Sequence, residues 1–125
     1  MGWGLRGIRG AITVSENSAA AIEQAVLELL TVLCERNRLE PEAICSAVFT
    51  ATQDLDAVFP SQVARVRLHG WSQVPLLDVA QMSVPGSLHS CIRVLLQVNT
   101  LSLQHEIQHV YLRDACKLRP DLGQS

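Results

Sequence analysis

Arg93 sits in Cys91-Ile92-Arg93-Val94-Leu95-Leu96-Gln97-Val98, a guanidinium with apolar neighbours on both sides. The pattern reads as a charge embedded in a buried strand. Burying a charge without partners is expensive, so either a carboxylate of the protein or an anionic ligand must meet it. A second case occurs at Arg6-Gly7-Ile8-Arg9-Gly10-Ala11-Ile12-Thr13-Val14, where arginines alternate with apolar and glycine positions. Two separated arginine-bearing strands suggest an anion pocket, with Arg9, Arg93, Tyr111 and Arg119 as its polar candidates. Spacing alone leaves open the alternative that these arginines form core or interface ion pairs. Such a pocket suits a reaction in which the protein need only orient a dianion and stabilise charge developing within it.

Other chemistry-bearing patterns are weaker. His105-Glu106-Ile107-Gln108-His109 fits the HExxH zinc signature, which needs both histidines on one face of a stable helix and a further ligand. The helix expected here is too short before Val110-Tyr111-Leu112 goes extended, and no histidine follows His109. A capped surface helix is the expectation, with no metal. His69 and His89 lie beside turns without a triad partner in sequence. Neither GxGxxG nor GxxxxGK[ST] occurs, so no nucleotide cofactor is expected. Cys34, Cys45, Cys91 and Cys116 form no CxxC pair and read as reduced thiols, mostly core fillers, with no activating base.

The elements that must hold these groups follow from periodicity. Residues 3–14 alternate as a strand. Asn17 or Ser18 can cap a helix to about Asn37, with Ile22, Ala25, Val26, Leu29, Leu30 and Leu33 recurring at three and four. Pro41 opens a short turn before a buried strand around 43–51, and Pro60 starts a second helix that Gly70 ends. Val74–Val79 is a strand whose Pro75 suits an edge or a position next to a bulge. Pro85-Gly86 turns the chain into the strand Cys91–Asn99. Ser102 caps a brief helix, Val110–Leu112 is the last strand, and Pro120 begins a tail. The order βαβαββαβ predicts an α/β (α+β) mixed sheet with helices covering one face.

The 125 residues suit one domain, 1–125, and a hydrophobic content of 48% against 18% charged leaves a lean polar surface. Sister subunits are expected to cover the excess apolar area. A net charge of -2 without a basic run argues against nucleic-acid binding. No window of about 18 apolar residues spans a membrane, and Arg6 and Arg9 precede any secretory h-region. A cytoplasmic location is expected.

Five blocks then occur in order: Arg6-Gly7-Ile8-Arg9-Gly10-Ala11, Ala57-Val58-Phe59-Pro60, Gly70-Trp71 with Val74-Pro75, Cys91-Ile92-Arg93-Val94, and His109-Val110-Tyr111-Leu112 through Leu118-Arg119-Pro120-Asp121-Leu122. Together they resemble the AroH-class chorismate mutases over essentially the whole chain. The resemblance implies a pseudo-α/β-barrel homotrimer with active sites at subunit clefts. It implies the Claisen rearrangement of chorismate to prephenate, on the route to phenylalanine and tyrosine, without cofactor or covalent intermediate. By position, Arg93 would meet the breaking ether oxygen and an adjacent carboxylate, and Arg9 and Tyr111 the side-chain carboxylate. Phe59 and Leu118 would form apolar walls, and Ser61, Leu76 and Leu77 would line the cleft. Residues 114–125, with Arg119, would close over its mouth.

Three departures from the family pattern stand out. Gln81 replaces a glutamate that grips the substrate's ring hydroxyl and the catalytic arginine. Three residues earlier Asp78 stands where a cysteine is frequent. If the intervening turn is helix-like, the two share a face and Asp78 supplies the carboxylate. Gln62 replaces a lysine at the substrate's carboxylate. One extra residue before Gly70 leaves open whether Arg65 or Arg67 takes the family's arginine position. Rival readings are a degenerate mutase that binds a metabolite or partner without turnover, and a trimeric imine-deaminase-like enzyme.

Overall fold

The computed structural model describes residues 3–120. Five strands form one mixed sheet in the order β3-β2-β4-β1-β5. They are β1 (Gly4–Thr13), β2 (Ile44–Ala51), β3 (Leu76–Ala80), β4 (Cys91–Thr100) and β5 (Val110–Leu112). β4 pairs antiparallel with β1 and β2, whereas β3 runs parallel to β2 and β5 parallel to β1.

Helices α1 (Ala19–Asn37) and α2 (Pro60–Arg67) pack on one face of this sheet. Ser18 caps α1, its Oγ accepting from the Ala21 N–H at 3.1 Å. The six apolar positions expected to face inward are all buried. Arg38 turns left-handed at φ 52° and returns its N–H to the last carbonyls of α1. Under the helices, alternate strand residues build the core: Ile8 and Ile12, Ala47 and Phe49, and Ile92, Val94, Leu96 and Val98. Burying each large aliphatic side chain contributes about 1.5–3 kcal/mol.

Three boundaries differ from expectation. α2 stops at Arg67 because Leu68 goes extended, and Gly70 instead opens a 3-10 turn, Trp71–Gln73, at φ 85°. A Cβ at Gly70 would lie 3.0 Å from the Pro41 ring, so the glycine also allows that close approach. β3 begins at Leu76: Pro75 has no N–H to give, and its carbonyl accepts from Ala47 at 3.0 Å. β3 lies at the sheet edge, as the proline implies. Ser102 does not cap a helix. The segment Gln104–Glu106 is a single 3-10 turn closed by the Glu106 carboxylate, which accepts from the Leu103 N–H at 2.7 Å. A further 3-10 segment, Arg113–Leu118, follows β5. Among the described residues, no helix is long and apolar enough to cross a membrane.

The sheet's other face is covered only at one end, by the 3-10 segment Arg113–Leu118, and elsewhere carries exposed Leu5, Leu77, Val79 and Leu95. That face holds Arg9 and Arg93.

Candidate functional site

Pleating sends alternate residues to opposite faces. With Ile92, Val94 and Leu96 under the helices, Cys91, Arg93 and Leu95 point to the open face. Register then aligns their neighbours: Arg93 opposes Ala11 on β1 and Thr50 on β2, Leu95 opposes Arg9, and Ala11 opposes Tyr111. A cleft of about 420 Å³ results, and Arg9, Arg93, Tyr111 and Arg119 all line it with Leu118. Val48, Thr50 and Leu95 complete its floor. Among the described residues, three guanidinium groups and no carboxylate line the cleft.

Arg93 is half-buried, and its Nε is fully buried without a hydrogen-bond partner among the described residues. Such a group is worth explaining, because an unsatisfied buried donor costs about 1–3 kcal/mol. Beneath it, Cys91 joins Ala11, Tyr111 and Ala115 in a small apolar cluster. Burial raises the Cys91 thiol above its ordinary range, and the Arg93 charge opposes that rise only in part. A neutral thiol therefore underlies the guanidinium.

Gln81 also reaches this face. Its N–H donates to Ala51 at 3.1 Å, and its Oε1 accepts from the Thr50 hydroxyl at 2.8 Å. Since Thr50 opposes Arg93, the carboxamide is anchored one strand away from the guanidinium.

Asp78 goes elsewhere. The stretch before Gln81 is strand, not helix, so a separation of three puts the two side chains on opposite faces. They cannot share one site within a single chain, which corrects the helix-like expectation. Asp78 instead accepts from the Ser61 N–H at 3.0 Å and from the Ser61 hydroxyl. Phe59, the residue preceding α2, offers no side-chain cap, so Asp78 supplies one from the adjacent strand.

Leu76 and Leu77 divide in the same way. Leu76 packs against the core on the helix side, while Leu77 is exposed on the open face. Leu76 therefore does not line the arginine cleft. Phe59, Gln62 and Asp78 line a separate cleft of about 760 Å³ with Val58 and Val79. Between the two candidate arginines of α2, Arg67 is bound to Glu23 of α1, and Arg65 is exposed. The expected site residues thus fall into two sets in one chain. Arg9, Arg93, Tyr111, Leu118 and Arg119 converge on the open face; Phe59, Gln62, Leu76 and Asp78 lie away from it, and Leu77 is exposed on that face outside the cleft. Arg119 belongs to the expected closing segment, of which 121–125 lie outside the described residues.

Thr50, Val48 and Leu95 were not anticipated from sequence. The signal was available: with Ala47 and Phe49 read as core, Val48 and Thr50 must face the opposite way. The HExxH segment also takes a definite form. It is a 3-10 turn followed by extended chain, with Glu106 spent on Leu103 and His109 accepting the Arg9 N–H at Nδ1, 3.0 Å away. His105 is exposed.

Comparison with known proteins establishes the family. Residues 5–122 match the family described as chorismate mutase type I. Chorismate mutase AroH of Thermus thermophilus is 48% identical over 119 residues, covering 94% of this chain and 96% of that protein. Its counterpart in Bacillus subtilis is 43% identical over 119 residues, covering 95% and 93%. A solved chorismate mutase from Clostridium thermocellum superposes with a TM-score of 0.83 at 46% identity, covering 87% of this chain and 96% of that one. With a family match over nearly its whole length and relatives this similar, the chain belongs to the type I chorismate mutases, a family of isomerases.

Proposed function

We propose that this single domain, residues 1–125, rearranges chorismate to prephenate at clefts shared between the subunits of a homotrimer. One observation carries the reading: Arg9, Arg93 and Tyr111 line one cleft that, among the described residues, is lined by no carboxylate. A cationic cleft of this kind suits a dicarboxylate. The rearrangement breaks one C–O bond and forms one C–C bond inside a single molecule, so it needs neither nucleophile nor cofactor. As the C–O bond lengthens, negative charge grows on the ether oxygen. Arg93 meets that charge and an adjacent carboxylate with its planar fork, which lysine lacks. Arg9 and the Tyr111 hydroxyl hold the side-chain carboxylate.

The second wall comes from a neighbouring copy. Phe59, Ser61, Gln62, Arg65 and Leu77, set apart from the arginine cleft in their own chain, meet the substrate across a subunit boundary. Asp78 contributes its carboxylate in the same way, while Gln81 acts through its carboxamide beside Thr50. Leu118 and Arg119 close the mouth, with 114–125 as the lid. The uncovered part of the apolar sheet face supports assembly, since exposed Leu5, Leu77, Val79 and Leu95 are costly in a lone subunit.

The test follows loss of chorismate's diene absorbance by purified protein, with sedimentation to read the assembly. Turnover by a trimer, abolished in Arg93→Ala, is expected. Tight chorismate binding by an intact trimer without turnover would overturn the reading in favour of a binding protein.

A further inference from the structure

We propose that His109 is a positioning residue for Arg9, its Nδ1 accepting the Arg9 N–H and so fixing the aim of the guanidinium into the cleft. The inference rests on Arg9 holding a substrate carboxylate.

β5 has three residues and pairs with β1 only from Gly10 to Ile12. Upstream of Gly10, β1 would otherwise present a bare edge. Two side chains continue the ladder there. Gln104 takes both polar groups of Gly7, its Oε1 accepting the N–H at 3.1 Å and its Nε2 donating to the carbonyl at 2.8 Å. His109 takes the next outward N–H, that of Arg9, at 3.0 Å. Arg9 needs this clamp more than most strand residues, because Gly7 and Gly10 flank it and glycine leaves the backbone loose. Fixing the peptide before Arg9 fixes the direction of its Cα–Cβ bond.

The clamp is itself anchored. At the end of α1, the Asn37 side chain accepts from the Gln108 N–H at 2.8 Å and donates to the Gln108 carbonyl at 2.9 Å. His109 is the next residue. A helix terminus is thereby tied through one peptide and one imidazole to a cleft arginine.

A backbone N–H can only donate, so Nδ1 must carry its lone pair. Protonation would set donor against donor and release Arg9. The charges acting on the ring come from the Arg9 guanidinium of β1 and the Arg119 guanidinium beyond the last 3-10 segment. α1 presents the uncharged Asn37 at this end, and β5 carries Tyr111. Burial first, then the two arginines, hold His109 below its ordinary value. The clamp is accordingly intact above the usual histidine range and opens as pH falls through the lowered value.

Steady-state kinetics from neutral to acid pH on the wild type, His109→Ala, His109→Asn and the exposed control His105→Ala test the proposal. Asparagine places an oxygen near the position of Nδ1 and cannot titrate. His109→Ala should raise the chorismate KM about tenfold with a much smaller change in kcat. His109→Asn should recover most of that loss. The wild-type KM should climb as pH falls below the ordinary histidine range through the lowered His109 value, while carboxylates of ordinary pKa are still ionised, and the asparagine variant should stay flat there. A wild-type KM in His109→Ala, or an acid rise persisting in His109→Asn, would overturn the proposal. The Arg9 amide resonance, followed in 15N-labelled wild type, should titrate together with the His109 ring. That readout needs no turnover, so a broken clamp and an inactive enzyme are told apart.

Discussion

Replacing Arg93 by methionine separates the two roles open to a guanidinium in a strand. Its Nε is buried with no acceptor among the described residues, a cost of about 1–3 kcal/mol that an apolar side chain of similar length would not incur. The thermal midpoint should therefore hold or rise, by roughly 3–5 °C per kcal/mol at this chain length. Activity should move the other way. A preorganised donor at charge that develops in the transition state is worth about 3 kcal/mol. The second contact, to a carboxylate, adds about 1.5–3 kcal/mol. A total near 5 kcal/mol corresponds to between about three and four decades in kcat/KM. Arg93→Lys keeps the charge without the fork and should fall about two decades below the wild type. Diene absorbance gives the rates, and scanning calorimetry gives the midpoints. A methionine variant that loses both activity and stability would show that Arg93 holds the fold as an ion pair. One that keeps kcat/KM within about tenfold would remove Arg93 from the chemistry.

Asp78→Asn leaves an oxygen for the Ser61 N–H but removes the charge, and should lower kcat/KM by at least about tenfold, or roughly 1.4 kcal/mol. If only Gln81→Ala is harmful, Asp78 is a helix cap and nothing more. Gly10→Ala would set a Cβ 2.8 Å from Leu33 Cδ1 and 3.2 Å from Leu29 Cδ1, both on the buried stripe of α1. Urea unfolding should show a loss of about 1–3 kcal/mol, and an unchanged midpoint would mean that the helix yields freely. The Cys34 thiol is pushed up to about 11 by burial, with Glu40 and Glu35 adding to the rise. Cys45, which is exposed, should react first with a disulfide reagent at mildly alkaline pH, and Cys34 only after unfolding. Labelling of Cys34 in the native protein, read by mass, would contradict its burial.

How far the sequence carried the fold and site follows from the range of each signal. The α1 stripe was legible because a 3.6-residue period needs only local chain, and Ser18 marks its start. Pro75 announced an edge strand through its missing N–H. The stop of α2 at Arg67 was not legible, because no local breaker stands there and Gly70 drew the boundary too late. Arg93, Arg9 and Tyr111 were found as chemistry, yet their meeting depends on register: Ala11 lies opposite both Arg93 and Tyr111, which no spacing along the chain encodes. His109 was noticed for a metal signature, and its bond to a peptide N–H 100 positions away was invisible for the same reason.

Asp78 is the case that teaches most. A carboxylate moved by three positions keeps its face on a helix and changes face on a strand, and β3 runs as strand through Ala80. Within one chain, then, Gln81 stays with the open face and Asp78 is turned towards Ser61. If Asp78→Asn costs activity while the fold is intact, the charge must act on an arginine cleft that its own chain does not supply. The expected loss at Asp78 is therefore also evidence on assembly. Mixed trimers decide it: subunits carrying Asp78→Asn, combined with inactive subunits carrying Arg93→Met, should regain partial turnover. Only clefts that pair an intact Asp78 from one subunit with an intact Arg93 from another can produce that gain. Mixtures no more active than their parents would return both carboxylate and arginine to the same chain, against the geometry of β3.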